Sequence, residues 1–128
     1  MKHFYFIFLT LLLSSCSGDD NSADNCVEYH SAGVEDVNAA ATIDSSGYPF
    51  LVHFRVYNGC GQFGSFVETK AGNEITIEVI AKYECCICTD DAPLRAITYI
   101  FNETASGTYI LKFKKQDGSF IAETILIE

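Results

Sequence analysis

Tryptophan is absent from this 128-residue chain, proline occurs twice and methionine once. Basic side chains are scarce, with 8 Lys and Arg against 17 Asp and Glu and a formal charge of −9. A general nucleic-acid binder needs a basic face to displace counterions from phosphate, so that class is excluded. No apolar run approaches the roughly twenty residues that cross a hydrocarbon core as a helix. The length excludes a Rossmann enzyme with a second domain and a TIM barrel. There is no H-E-x-x-H, no G-x-S-x-G and no P-loop, and neither enzymatic activity nor a cofactor is expected. Hydrophobic residues are plentiful at 48%, and there are six cysteines. A wholly disordered chain does not look like that.

The amino terminus reads as an address. Met1-Lys2-His3 precedes an apolar run from Phe4 to Leu13 broken only by Thr10, the layout of a signal peptide. Leu13-Ser14-Ser15-Cys16 then resembles the lipobox of bacterial lipoproteins. The resemblance implies a signal peptide over residues 1–15, cleavage before Cys16, and acyl chains on that cysteine. Two or three chains anchor stably, at about 0.8 kcal/mol per buried methylene. Residues 16–26 form an acidic stretch too polar to bury surface and are expected to be a flexible tether. Its start, Cys16-Ser17-Gly18-Asp19-Asp20, resembles the acidic export signal of Bacteroidetes-type lipoproteins. That implies an outer-membrane protein facing the exterior, the alternative being a periplasm-facing one.

Residues 27–128 read as an all-β domain. Phe50, Val52, Phe54 and Val56 alternate with Leu51, His53, Arg55 and Tyr57. Ile75, Ile77, Val79, Ala81 and Tyr83 alternate with Thr76, Glu78, Ile80 and Lys82, and Ile97, Tyr99 and Phe101 continue the pattern, as do Tyr109, Leu111 and Phe113. Period two over such runs marks half-buried strands. A weaker strand is expected near Val34–Ile43, with a helical turn over 35–41 as its alternative. Phe120 to Ile127 is apolar on both parities except at Glu123, which leaves its inward face open. Ala71-Gly72-Asn73 can reverse the chain, and Asp117-Gly118 suggests a tight hairpin. About seven strands suit an antiparallel sandwich.

Ser106-Gly107-Thr108-Tyr109 is similar to the strand opening of immunoglobulin-like and fibronectin-like domains. The resemblance implies that Tyr109 bonds back across a corner. Leu111 stands where an antibody-type domain places its core cysteine. Together, Asn58-Gly59-Cys60-Gly61, the cysteines between Lys82 and Thr89, and the last two strands resemble small lipoproteins of flavobacterial type.

Cys26, Cys60, Cys85, Cys86 and Cys88 are candidates for disulfides in an oxidising compartment, with one left over. A hairpin centred on Gly72 pairs positions whose numbers sum to about 144. Cys60 then lies opposite position 84, within reach of the cluster. Cys26 can pin the amino-terminal segment to a second cluster cysteine. The competing reading is a copper or zinc site built from Cys60, Cys85, Cys86 and Cys88, with His53 as a further ligand. A redox Cys-x-x-Cys at Cys85–Cys88 lacks the helix that would lower its pKa.

Asp90 and Asp91 form the densest acidic pair, but the spaced pattern of a calcium loop is missing. Most aromatic residues fall at inward parity, which core packing explains. Phe63 and Phe66 fall on opposite parities, so one is expected to be exposed. The candidate binding surface is therefore loop 58–66 facing loop 85–93, with Phe63, Phe66, Asp90 and Asp91 upon it. The expected role is that of a lipid-anchored, non-catalytic module for binding, adhesion or structure, with a protein or glycan partner and no nucleic acid.

Overall fold

The computed structural model describes residues 26–40, 46–84 and 87–128. The signal peptide, Cys16, the acidic stretch to residue 25, and Cys85 and Cys86 lie outside the described residues. So does the end of the weak strand at Ile43.

Eight strands follow one another: β1 (Glu28–Ala32), β2 (Val34–Ala39), β3 (Tyr48–Arg55), β4 (Gly61–Ala71), β5 (Glu74–Tyr83), β6 (Leu94–Phe101), β7 (Gly107–Lys114) and β8 (Phe120–Ile127). They form a five-stranded sheet around β5 and a three-stranded sheet in the order β2-β3-β6. β4 covers one edge of β5, while β1 and β7 share the other, β1 along residues 79–83 and β7 along 74–77. β8 extends the sheet beyond β7. The result is an all-β sandwich consistent with the immunoglobulin-like expectation.

Three features depart from the sequence reading. The strand beyond the expected seven is β1, whose short polar sequence, Glu-Tyr-His-Ser-Ala, carries no alternation. Residues 35–39 extend along β3 and make no helical turn, because pairing from Val34↔Phe54 to Ala39↔Phe50 satisfies their backbone. β5 and β7 run parallel, from Glu74↔Ile110 to Ile77↔Phe113, whereas the other strand pairs among the described residues are antiparallel. A parallel neighbour needs a long connection, and β6 in the other sheet supplies it.

Alternation explains the core. Phe50, Val52, Phe54 and Val56 are buried, as are Ile75, Ile77, Val79, Ala81 and Tyr83 from the facing sheet. Tyr109, Leu111 and Phe113 join them. In β8 the odd positions point inward, ending on buried Ile125 and Ile127, and Glu123 is half-buried on that side. Burying a Phe or Ile side chain of this kind contributes about 1.5–3 kcal/mol.

The two hairpin turns differ in length. Ala71 pairs with Glu74, so Gly72 and Asn73 form a two-residue loop with Gly72 at φ 63°. A positive φ at the first position followed by an ordinary one is the type II′ pattern. Lys114 pairs with Phe120, leaving five residues between β7 and β8. Only Gly118 takes positive φ there, with its N–H donating to Lys115 and the Lys115 N–H to Ser119. The expected hairpin is therefore present, with a longer loop closed by a glycine bulge. The Tyr109 hydroxyl donates to the Ala105 carbonyl at 2.9 Å, the corner bond that the resemblance implied.

Candidate binding cleft at the disulfide-tied end

Two loops meet at one end of the sandwich. Residues 56–61 leave β3 and enter β4, while residues 87–93 lead into β6. Cys60 and Cys88 are joined by a disulfide, with 5.4 Å between their Cα atoms. Cys26 is disulfide-bonded as well. The expected register is close: Gly61 pairs with Tyr83, a sum of 144, and Ala71 with Glu74, a sum of 145. One bulge separates the two halves of the hairpin.

The loops are also held without sulfur. The Gly59 N–H donates to the Thr89 carbonyl at 3.0 Å, and the Val56 N–H to that of Pro93 at 3.2 Å. A Cβ at Gly59 would lie 1.8 Å from Thr89 Oγ1, so any larger residue there would force the Thr89 side chain to shift. Arg95 of β6 donates from Nε to the Gly61 carbonyl at 3.0 Å and from Nη2 to that of Gly59 at 3.1 Å.

Beside these loops opens a cleft of about 270 Å³, bounded by the β1–β2 crossover at Gly33 and by Gln116 of the β7–β8 loop. Glu35, Arg55 and Tyr57 line it together. Arg55 grips Glu35 with two bonds, one from Nε and one from Nη2 at 2.9 Å, and its Nη1 donates to the Ala92 carbonyl. The guanidinium holds the Glu35 carboxyl below the usual range, and Glu35 in turn raises Arg55. Fork-to-fork pairing of this kind fixes geometry as well as charge.

Tyr57 is 51% exposed, yet it is not loose. One ring face stacks on buried Tyr83, with centroids 4.1 Å apart and an angle of 22°. The Tyr57 N–H donates to the Tyr83 hydroxyl at 3.1 Å, and the Tyr57 hydroxyl donates to Glu28 at 3.3 Å. His30 packs edge-on against both rings and lies 3.0 Å from the same Glu28 oxygen. Glu28 is held low, chiefly by His30 and then by Tyr57, while partial burial followed by the Glu28 charge pushes the Tyr57 hydroxyl up.

The residues singled out from sequence divide. Asp90 and Asp91 are exposed on the loop that meets residues 58–61. Phe63 and Phe66 are not on opposite faces. A bulge between Phe63 and Ser65 inserts one residue and resets the alternation, so both rings are half-buried against the core, 4.7 Å apart. Gly64 inside a strand was the available signal. His53 lies on the outer face of β3, 3.5 Å from Asp36. With Cys60 and Cys88 bonded to each other, two of the four thiolates of the metal reading are consumed. Among the described residues no group of three or more His, Cys, Asp or Glu side chains is placed to hold a metal ion. Arg55, Glu35, Tyr57 and Glu28 went unnoticed as a group, because they come from three strands and one loop.

A sandwich whose one end is stapled and hollowed in this way defines a β-sandwich domain with a small lateral cleft. The chain belongs to the ORF11 beta-sandwich domain family, whose family model matches residues 50–123. That match runs from β3 into β8 and includes Arg55, Tyr57, Cys60 and Cys88. No curated protein and no solved structure matches the chain.

Proposed function

We propose that this chain is a lipid-anchored cell-envelope protein, displayed on the outer membrane and facing the exterior, with a non-catalytic binding role for its sandwich. The observation that carries the compartment is the Cys60–Cys88 disulfide, with Cys26 bonded as well. Disulfides persist in oxidising compartments outside the cytoplasm, where the signal sequence and Cys16 would deliver the chain. Binding is favoured over catalysis because Glu35 and Arg55 satisfy each other instead of standing as a free acid or base. A preorganised exposed ring beside a polar pair suits recognition.

Metabolic labelling with radioactive palmitate tests the anchor: label is expected on the native chain and none on Cys16→Ser. Label that survives the substitution overturns the lipidation site. Protease added to intact cells is expected to remove the domain. Protection until the outer membrane is opened favours the periplasm-facing alternative.

A further inference from the structure

We propose that the cleft between Glu35, Arg55, Tyr57 and Gln116 binds an uncharged saccharide ring, stacked on Tyr57 and hydrogen-bonded by the Glu35–Arg55 pair. This rests on the binding role proposed above and gives it a site and a ligand class.

Three observations converge on that class. The first is size. A cleft of about 270 Å³ falls just below the ~300 Å³ at which pockets for drug-sized ligands begin. It takes one ring with its substituents, or the end of a chain.

The second is charge. Arg55 is neutralised by Glu35, Glu28 stands nearby, and the whole chain carries −9, so an anion finds no unpaired cation to hold it. The pair nevertheless keeps capacity for a neutral ligand. Of the five N–H groups of a guanidinium, two go to Glu35 and one to Ala92. One N–H on each terminal nitrogen remains, and each Glu35 oxygen keeps a further lone pair. Donors and acceptors side by side complement neighbouring hydroxyls, which both give and accept.

The third is the platform. Tyr57 has one face covered by Tyr83, and its backbone and hydroxyl are both fixed. A single oriented ring face suits the C–H face of a sugar. A quaternary ammonium ion would be enclosed by several exposed rings, and Tyr83 is buried.

Saturation-transfer NMR on the detergent-solubilised chain tests this, with the methyl glycosides of glucose, galactose, mannose and N-acetylglucosamine, and choline and acetate as charged probes. At least one glycoside is expected to bind, with saturation strongest on its ring C–H protons. Tyr57→Ala is expected to weaken it at least tenfold and Arg55→Lys at least threefold. Tyr29→Ala, on the outer face of the sheet and outside the cleft, is expected to retain it. Circular dichroism checks that each variant folds, and Arg55→Lys alone decides if Tyr57→Ala does not. The proposal is overturned if no glycoside binds, or if choline or acetate occupies the cleft instead. A glycoside that binds equally to the Tyr57→Ala and Arg55→Lys variants also overturns this site, while leaving a binding role elsewhere on the domain intact.

Discussion

The two ends of the sandwich each hold a cleft of nearly the same size and of different chemistry. At the disulfide-tied end the cavity of about 270 Å³ is walled by an ion pair and an exposed aromatic ring. At the other end, a cavity of about 290 Å³ lies between Tyr48, Pro49, Phe50, Ile125 and Leu126, with Glu123 as its one charge. The closures differ as well. The far end relies on a two-residue turn at Gly72 and Asn73 and on the Tyr109 corner, all within the regular strand framework. The near end gathers four segments distant in sequence and ties them with sulfur, Arg95 and close backbone contact. Volume alone would rank the ends equally; polar groups held in place by other groups separate them.

Removing the covalent tie should show the asymmetry most strongly. The double variant Cys60→Ser, Cys88→Ser is expected to lose about 2–4 kcal/mol. For a domain of about a hundred residues that lowers Tm by on the order of 10–30 °C. Hydrogen exchange should accelerate first in residues 56–61 and 87–93, while β7 and β8 near Tyr109 stay protected. Uniform acceleration would show that the ends are not independent.

Gly59→Ala attacks the same end without touching sulfur. The new methyl group collides with Thr89, and a cost of about 1–3 kcal/mol is expected in chemical denaturation. At the far end, Tyr109→Phe removes one hydroxyl that donates to Ala105, and about 0.5–1.5 kcal/mol should be lost. Denaturant midpoints compare the two directly, and the near-end variant should be the weaker.

Much of the framework was legible in the sequence, for a physical reason. β3, β5 and β7 face solvent on one side and the core on the other, so their alternation records the fold directly. The Tyr109 bond and the reach of Cys60 toward the cluster depend only on local register, which a short turn sets. Where the reading failed, the cause was an event that local pattern does not encode. One inserted residue at the β4 bulge turned Phe66 onto the same face as Phe63. The parallel pairing of β5 with β7 is decided by how two sheets stack. The cleft was invisible because Arg55 and Glu35 are twenty positions apart, and an exposed Arg on an alternating strand reads as solvated surface.

The smallest expected effect is on pH dependence. Glu28 and Glu35 are held below their ordinary value of 4.5, so their unfolded forms take up protons first as the pH falls. The stabilisation is fully present above that value and is lost as the pH drops through the lower folded values. Tm should therefore stay level from neutrality to about pH 5 and decline below it. Both carboxylates are exposed, so the decline is modest. Glu35→Gln should flatten part of it; an unchanged profile would mean that the Arg55 pair does not contribute.

The most direct measurement of the central claim is an amide chemical-shift map of the isotope-labelled chain, titrated with the glycoside that gives the strongest saturation transfer. The account predicts shifts confined to the near end, at Gly33, Glu35, Arg55, Tyr57 and Gln116, with Glu123 to Leu126 unmoved. Shifts centred on Glu123 to Leu126 instead, or none at either end, would contradict it.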